Sequence, residues 1–137
     1  KEAIHWAWTL LTEVFEIEPE KLWITVFKDD DEAFNLWVKE GQDPNRLVRL
    51  GKEDNFWEHE TGPSGPCTEI FYDRGESYGT LKDFNDGVEN ERLIEVWNLV
   101  FTQFDRKSKD EYEPLSHPNI DTGMGLERMA CVMQGVH

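Results

Sequence analysis

Positive charge is scarce in this sequence: 14 Lys and Arg stand against 29 Asp and Glu, a formal net charge of −15. Such a surface repels phosphate backbones over a Debye length of about 8 Å at physiological salt, which excludes an extended nucleic-acid surface. A local basic site for a small phosphate ligand stays open. Cysteine is scarcer still. Cys67 and Cys131 are the only two, far apart and outside any CxxC pattern, so the simplest reading is a reducing, cytoplasmic setting. No apolar run approaches the roughly 18 residues that a membrane-spanning helix needs. Signal peptide, opening Met, internal repeat and low-complexity tract are all missing. The sequence opens at Lys1 inside an expected helix and stops at His137 just past another, as a piece of a longer chain would.

Aromatic residues, by contrast, are plentiful. Six Trp and eight Phe among 137 residues, with 38% hydrophobic and 31% charged, match one folded domain with a modest core. Residues 2–16 place Ile4, Ala7, Trp8, Leu11 and Phe15 at helical spacing. LWITVF (22–27) reads as a buried strand. Asp29, Asp30 and Asp31 before EAFNLWVKE, with Gly41 after it, are the expected ends of a second helix. RLVRL (46–50), CTEIFYDRG (67–75) and ERLIEVWNLVFTQFDR (91–106) are strand candidates. Residues 51–66 show no period, and 74–90 read as a surface loop. KSKDEYEP predicts a hairpin and a short return strand, after which Leu126, Met129, Ala130 and Met133 share one face of a last helix. The elements lack a βαβ rhythm, which favours an α+β fold, an antiparallel sheet flanked by helices.

Two stretches carry chemistry. Strict alternation along 92–104 puts Ile94, Val96, Asn98, Val100, Thr102 and Phe104 on one strand face. A buried amide without partners costs about 1–3 kcal/mol. Asn98 therefore either bonds a neighbouring loop or orients a ligand whose apolar part touches Val100. The same alternation sends Glu95 to the opposite face unless a bulge intervenes. The second stretch is NIDTGMGLERM (119–129), expected to run from a loop into a helix. Gly123 and Gly125 permit positive φ and close backbone approach. Free N–H groups at the helix start, with the forked cation of Arg128 on its first turn, suit phosphates. Arg128 occupies the position where a GxGxxG fingerprint requires Gly, so a dinucleotide-binding reading fails. Asp121 would repel phosphate but would hold an ammonium group. The plainer readings are a helix cap for Asp121 or Thr122, and a surface ion pair for Arg128.

DNFWEHETGPSGPCTEIFYDRG (54–75), IEVWNLVFTQF (94–104) and DTGMGLERM (121–129), together with AIHWAWTLLT near the start, resemble the catalytic domain of the alanyl-tRNA synthetase family over nearly the whole chain. The resemblance implies the rear part of a class II aminoacyl-tRNA synthetase core over 1–137, with motif 3 included and motifs 1 and 2 absent. It implies activation of L-alanine by ATP, accompanied by Mg²⁺, to alanyl-adenylate, and transfer to tRNA(Ala) by the full-length enzyme. Arg128 of GMGLER would contact ATP phosphates, with Gly125 beside it. Trp57, Asn98, Val100, Asp121 and Gly123 would form the alanine pocket, although composition alone reads Trp57 as a core aromatic. Glu69 and Glu95 are candidate Mg²⁺ ligands. The family often has GPCGPC where this chain has GPSGPC, with Ser64 replacing the first Cys. Zinc is not expected in this segment. A second motif that supplies another arginine is missing, so the isolated chain is expected to be inactive or weak. A non-catalytic remnant that binds alanine or nucleotide is the alternative, and an acidic interaction domain a third. His59, between Glu58 and Glu60, is read as part of a solvated loop, Cys67 as a small buried residue, and His5, His117 and His137 as lacking ligand spacing.

Overall fold

The computed structural model describes residues 1–135. Besides one π turn and three short 3-10 turns, five α-helices and six strands follow in the order α1 (Glu2–Thr9), β1 (Leu22–Phe27), α2 (Asp31–Glu40), β2 (Leu47–Leu50), α3 (Lys52–Asn55), β3 (Phe56–Trp57), β4 (Gly62–Asp73), α4 (Phe84–Glu89), β5 (Leu93–Ser108), β6 (Glu111–Met124) and α5 (Leu126–Gln134). The strands pair in the order β2-β1-β4-β5-β6, with β3 added along β4. Every pairing is antiparallel except β1–β2. That parallel pair follows from α2, which crosses back over the sheet between the two strands.

The helix expected over 2–16 is regular only to Thr9 and continues as one widened turn over Leu10–Val14. The Thr12 hydroxyl donates to the Trp8 carbonyl at 2.8 Å, and Phe15 N–H reaches five residues back to Leu10 O. A hydroxyl competing for a helical carbonyl opens the turn in this way. Ile4, Ala7, Trp8 and Leu11 are nonetheless buried, with Phe15 packed against them. Asp30 caps α2 by accepting from Ala33 N–H at 3.0 Å, and Gly41 closes it at φ 121°, a conformation suited to glycine.

The main core lies between α1, α2 and one sheet face, joining Ile4, Leu11, Trp37, Ile24, Ile70 and Leu99. Trp37 Nε1 donates to Thr68 Oγ1 at 3.0 Å, tying α2 to β4. A smaller cluster of Phe71, Phe84 and Leu93 sits on the other side with Trp23 and Val48. The expected surface loop over 74–90 therefore contains a short helix, α4, which covers that cluster. The return strand is long rather than short: β6 runs 14 residues and takes in Asn119–Met124, expected as loop. In α5 the buried residue is Met129, with Val132 packed on the core, while Leu126 and Met133 are exposed. Leu126, Ala130 and Met133 still share a side of the helix with Met129, as expected, but of these four only Met129 is buried. His137 lies outside the described residues.

Candidate active site

Cross-strand partners point to the same face of a sheet. The register therefore sorts the sheet face opposite the main core into rows. Trp23, Phe71 and Glu95 form one row; Thr25, Glu69, Asn98 and Gly123 the next; Cys67, Val100 and Asp121 the third. Asn98 and Val100 on β5 thus stand directly beside Gly123 and Asp121 on β6. Residues 20 or more positions apart in sequence become a contiguous patch.

Glu95 joins this face because β5 carries a bulge. Ile70 pairs with Trp97 but Phe71 pairs with Glu95, so Val96 is the extra residue. Val96 and Trp97 both turn to the main-core side, where Val96 is buried and Trp97 packs on the core. The expected alternation fails at this step: Ile94 and Val96 leave the face of Asn98, and Glu95 enters it. Asn98 Nδ2 donates to Glu95 Oε1 at 3.4 Å. The bulge also anchors α5, since Gly125 N–H donates to Val96 O at 3.0 Å.

A cavity of about 890 Å³ opens over the first two rows, with Glu69, Phe71 and Glu95 at its floor and Asp54, Phe84 and Arg128 around it. Arg128 is exposed, and its guanidinium donates to the Glu95 carbonyl at 2.9 Å rather than forming a surface ion pair. A Cβ at Gly125 would come within 3.3 Å of Arg128 Cδ. Close approach, not positive φ, is thus what Gly125 provides; its φ is −72°, and Gly123 lies in extended strand. Burial, reinforced by the charges of Glu95 and Asp54, raises the Glu69 carboxyl to about 7. Burial and the same acidic neighbourhood push the Cys67 thiol up to about 12, so it stays protonated and unreactive at neutral pH.

Asp121 lies in the third row and is exposed. Its Oδ1 accepts from Thr122 N–H at 2.8 Å, and Gly125, not Asp121 or Thr122, is the residue that begins α5. Arg128 lines the large cavity and Asp121 does not. The two charges therefore occupy neighbouring parts of one open face, separated by the Asn98–Gly123 row, rather than a single enclosed pocket. Trp57 is 41% exposed on β3, not a core aromatic, and its ring meets His59 edge-on at 4.5 Å. Ser64 is fully buried within β4. Among the described residues no group of three or more His, Cys, Asp and Glu is arranged to hold a metal ion.

Two features lay outside the sequence reading. Gly65 packs so tightly on β5 that a Cβ would lie 1.9 Å from the Phe101 carbonyl oxygen; the GPSGP composition was the available signal. The second is a polar cluster of Glu58, Tyr112 and Arg106, whose members are up to 54 residues apart and carry no local signature.

A mainly antiparallel sheet flanked by helices, with a bulged central strand and an arginine on the first turn of the following helix, is consistent with a class II synthetase core. The family model of tRNA synthetases class II (A) matches residues 1–137, and the chain belongs to that family. The curated relatives narrow the class. An alanine–tRNA ligase of Acetivibrio thermocellus is 57% identical over 138 aligned residues, covering 99% of this chain and 16% of that protein. Those of Alkaliphilus oremlandii and Nitrosococcus oceani are 56% and 55% identical, again over 16% of their length. The chain thus spans about a sixth of the curated relatives it matches. No helix among the described residues is long and apolar enough to cross a membrane.

Proposed function

We propose that residues 1–137 act as part of an alanine–tRNA ligase, the rear portion of its catalytic domain, in ATP-dependent activation of L-alanine and transfer to tRNA(Ala) in the cytoplasm. The observation that carries this reading is the register: Asn98 beside Gly123 and Val100 beside Asp121, one row from the cavity that Arg128 lines. In this reading Asp121 takes the alanine ammonium, Asn98 orients the amino acid, and Val100 with Trp57 meets its methyl group. Gly123 leaves the row open: a Cβ there would stand 3.7 Å from Asn98 Oδ1, filling space beside the amide. Arg128, held by the Glu95 carbonyl, points its remaining donors at the ATP phosphates, and Gly125 preserves its approach.

Adenylate formation joins the alanine carboxylate oxygen to the α-phosphorus and expels pyrophosphate. Positioning and charge neutralisation supply the catalysis. Mg²⁺ typically needs only one or two carboxylates besides the phosphates and water, and Glu69 and Glu95 fit that requirement. When bound with ATP it offsets phosphate charge. A methyl-sized pocket discriminates by only about 1–3 kcal/mol per methylene, the general figure for such enzymes, so glycine and serine would intrude and proofreading must reside elsewhere.

Alanine-dependent ATP–pyrophosphate exchange tests the reading. Residues 1–137 replace the matching segment of the Acetivibrio thermocellus enzyme, and the chain is also assayed alone. Exchange by the graft with little or none from the chain alone supports the ligase reading. A folded graft that binds alanine without exchange supports the non-catalytic alternative instead.

A further inference from the structure

The residues around Trp57 are fastened to a distant hairpin. Phe56 packs between Phe27 and Tyr112, with ring centroids at 5.6 and 5.9 Å. On the other side of Trp57, Glu58 accepts a hydrogen bond from the Tyr112 hydroxyl, which in turn accepts one from the Lys52 ammonium. Lys52 and Arg106 lie 3.1 and 3.7 Å from the Glu58 carboxylate. Arg106 also donates to the His59 carbonyl at 2.7 Å, and the His59 ring supports the Trp57 indole. Burial alone would raise the Glu58 carboxyl, but the Tyr112 hydrogen bond and the two cations hold it below its usual range. Arg106 and Tyr112 face each other across β5 and β6, the same two strands that present Asn98, Val100 and Asp121.

We infer that Tyr112, Glu58 and Arg106 form a clamp that positions Trp57 against the β5–β6 hairpin, so that the side of the alanine pocket and its floor move as one unit. These are positioning residues; none is placed on the substrate. The clamp stands on its own contacts, while its consequence for alanine rests on the proposed role of Trp57.

Two readouts separate the parts. The 137-residue chain is labelled with 5-fluorotryptophan, and the Trp57 resonance is assigned from its loss in Trp57→Phe. Tyr112→Phe, which keeps the ring and removes only the hydroxyl, is expected to shift that resonance and speed amide exchange over 56–60 about tenfold, while the other tryptophan resonances stay in place. Should that variant fail to fold, Glu58→Gln is read in the same way. In the grafted enzyme, Tyr112→Phe is expected to raise KM for alanine about tenfold with KM for ATP unchanged. An unmoved Trp57 resonance in both variants overturns the clamp. A moved resonance with unchanged alanine KM retains the clamp and refutes Trp57 as an alanine contact.

Discussion

Strands β4 and β6 stand at opposite extremes of exposure in this sheet. β4 has partners on both sides, and most of its length is buried, with Ile70 fully so. β6 pairs only with β5 and is exposed almost from end to end, Ile120 at 49%. Yet both supply residues to the same face. The difference divides the labour: β4 provides a rigid floor whose polar groups are constrained by burial, and β6 provides polar groups that a ligand can reach. Under the proposed function, the carboxylate for the alanine ammonium belongs on the second kind of strand. Asp121 is there, whereas Glu69, on the first, is driven towards its neutral form.

The comparison breaks most severely at Gly65, where β4 meets the β5 backbone. Gly65→Ala places a methyl inside van der Waals distance of the Phe101 carbonyl. Stability should fall by about 3 kcal/mol or more, read as a collapse of the thermal transition followed by circular dichroism. Alanine substitution of one isoleucine on each strand sharpens it next. Ile70→Ala should cost about 2–5 kcal/mol in urea unfolding, and Ile120→Ala under about 1 kcal/mol. Equal losses would show that β6 is as embedded as β4.

Glu69 offers a pH-dependent version. Its folded value, about 7, lies above the ordinary 4.5. The neutral form therefore contributes stability that is fully present below about pH 4.5 and is lost as pH rises through about 7. Glu69→Gln removes that loss. It should stabilise the chain at pH 8 by an amount on the order of 1–2 kcal/mol, allowing for the open cavity beside it, and change little at pH 4.5. Thermal melts at the two pH values decide the sign.

How much of this was legible in the sequence divides along the same line. Local signals were sufficient for β1, for α2 with its Asp30 and Gly41 ends, and for the apolar stripe Ile4–Ala7–Trp8–Leu11. Pairing Asn98 with Val100 on one face was also legible, because no bulge separates them. Glu95 was misassigned because one extra residue at Val96 inverts the alternation, and nothing local marks a bulge. Residues 119–124 read as loop because Gly, Thr, Asn and Asp are poor strand formers; pairing with β5 overrides that preference. Leu126 and Met133 matched a helical face that is buried only at Met129. The tie between Glu58 and Tyr112 depends on two segments meeting across the fold, and no spacing rule encodes it.

The central claim is that exposed Asp121 holds an amine next to the Asn98–Gly123 row. Asp121→Asn in the grafted enzyme, with KM for alanine and for ATP measured separately by pyrophosphate exchange, tests it most directly. Loss of a charge-assisted hydrogen bond, about 1.5–3 kcal/mol, predicts a rise in alanine KM of about 10- to 100-fold with ATP KM and the melting temperature nearly unchanged. An unaltered alanine KM would contradict the account.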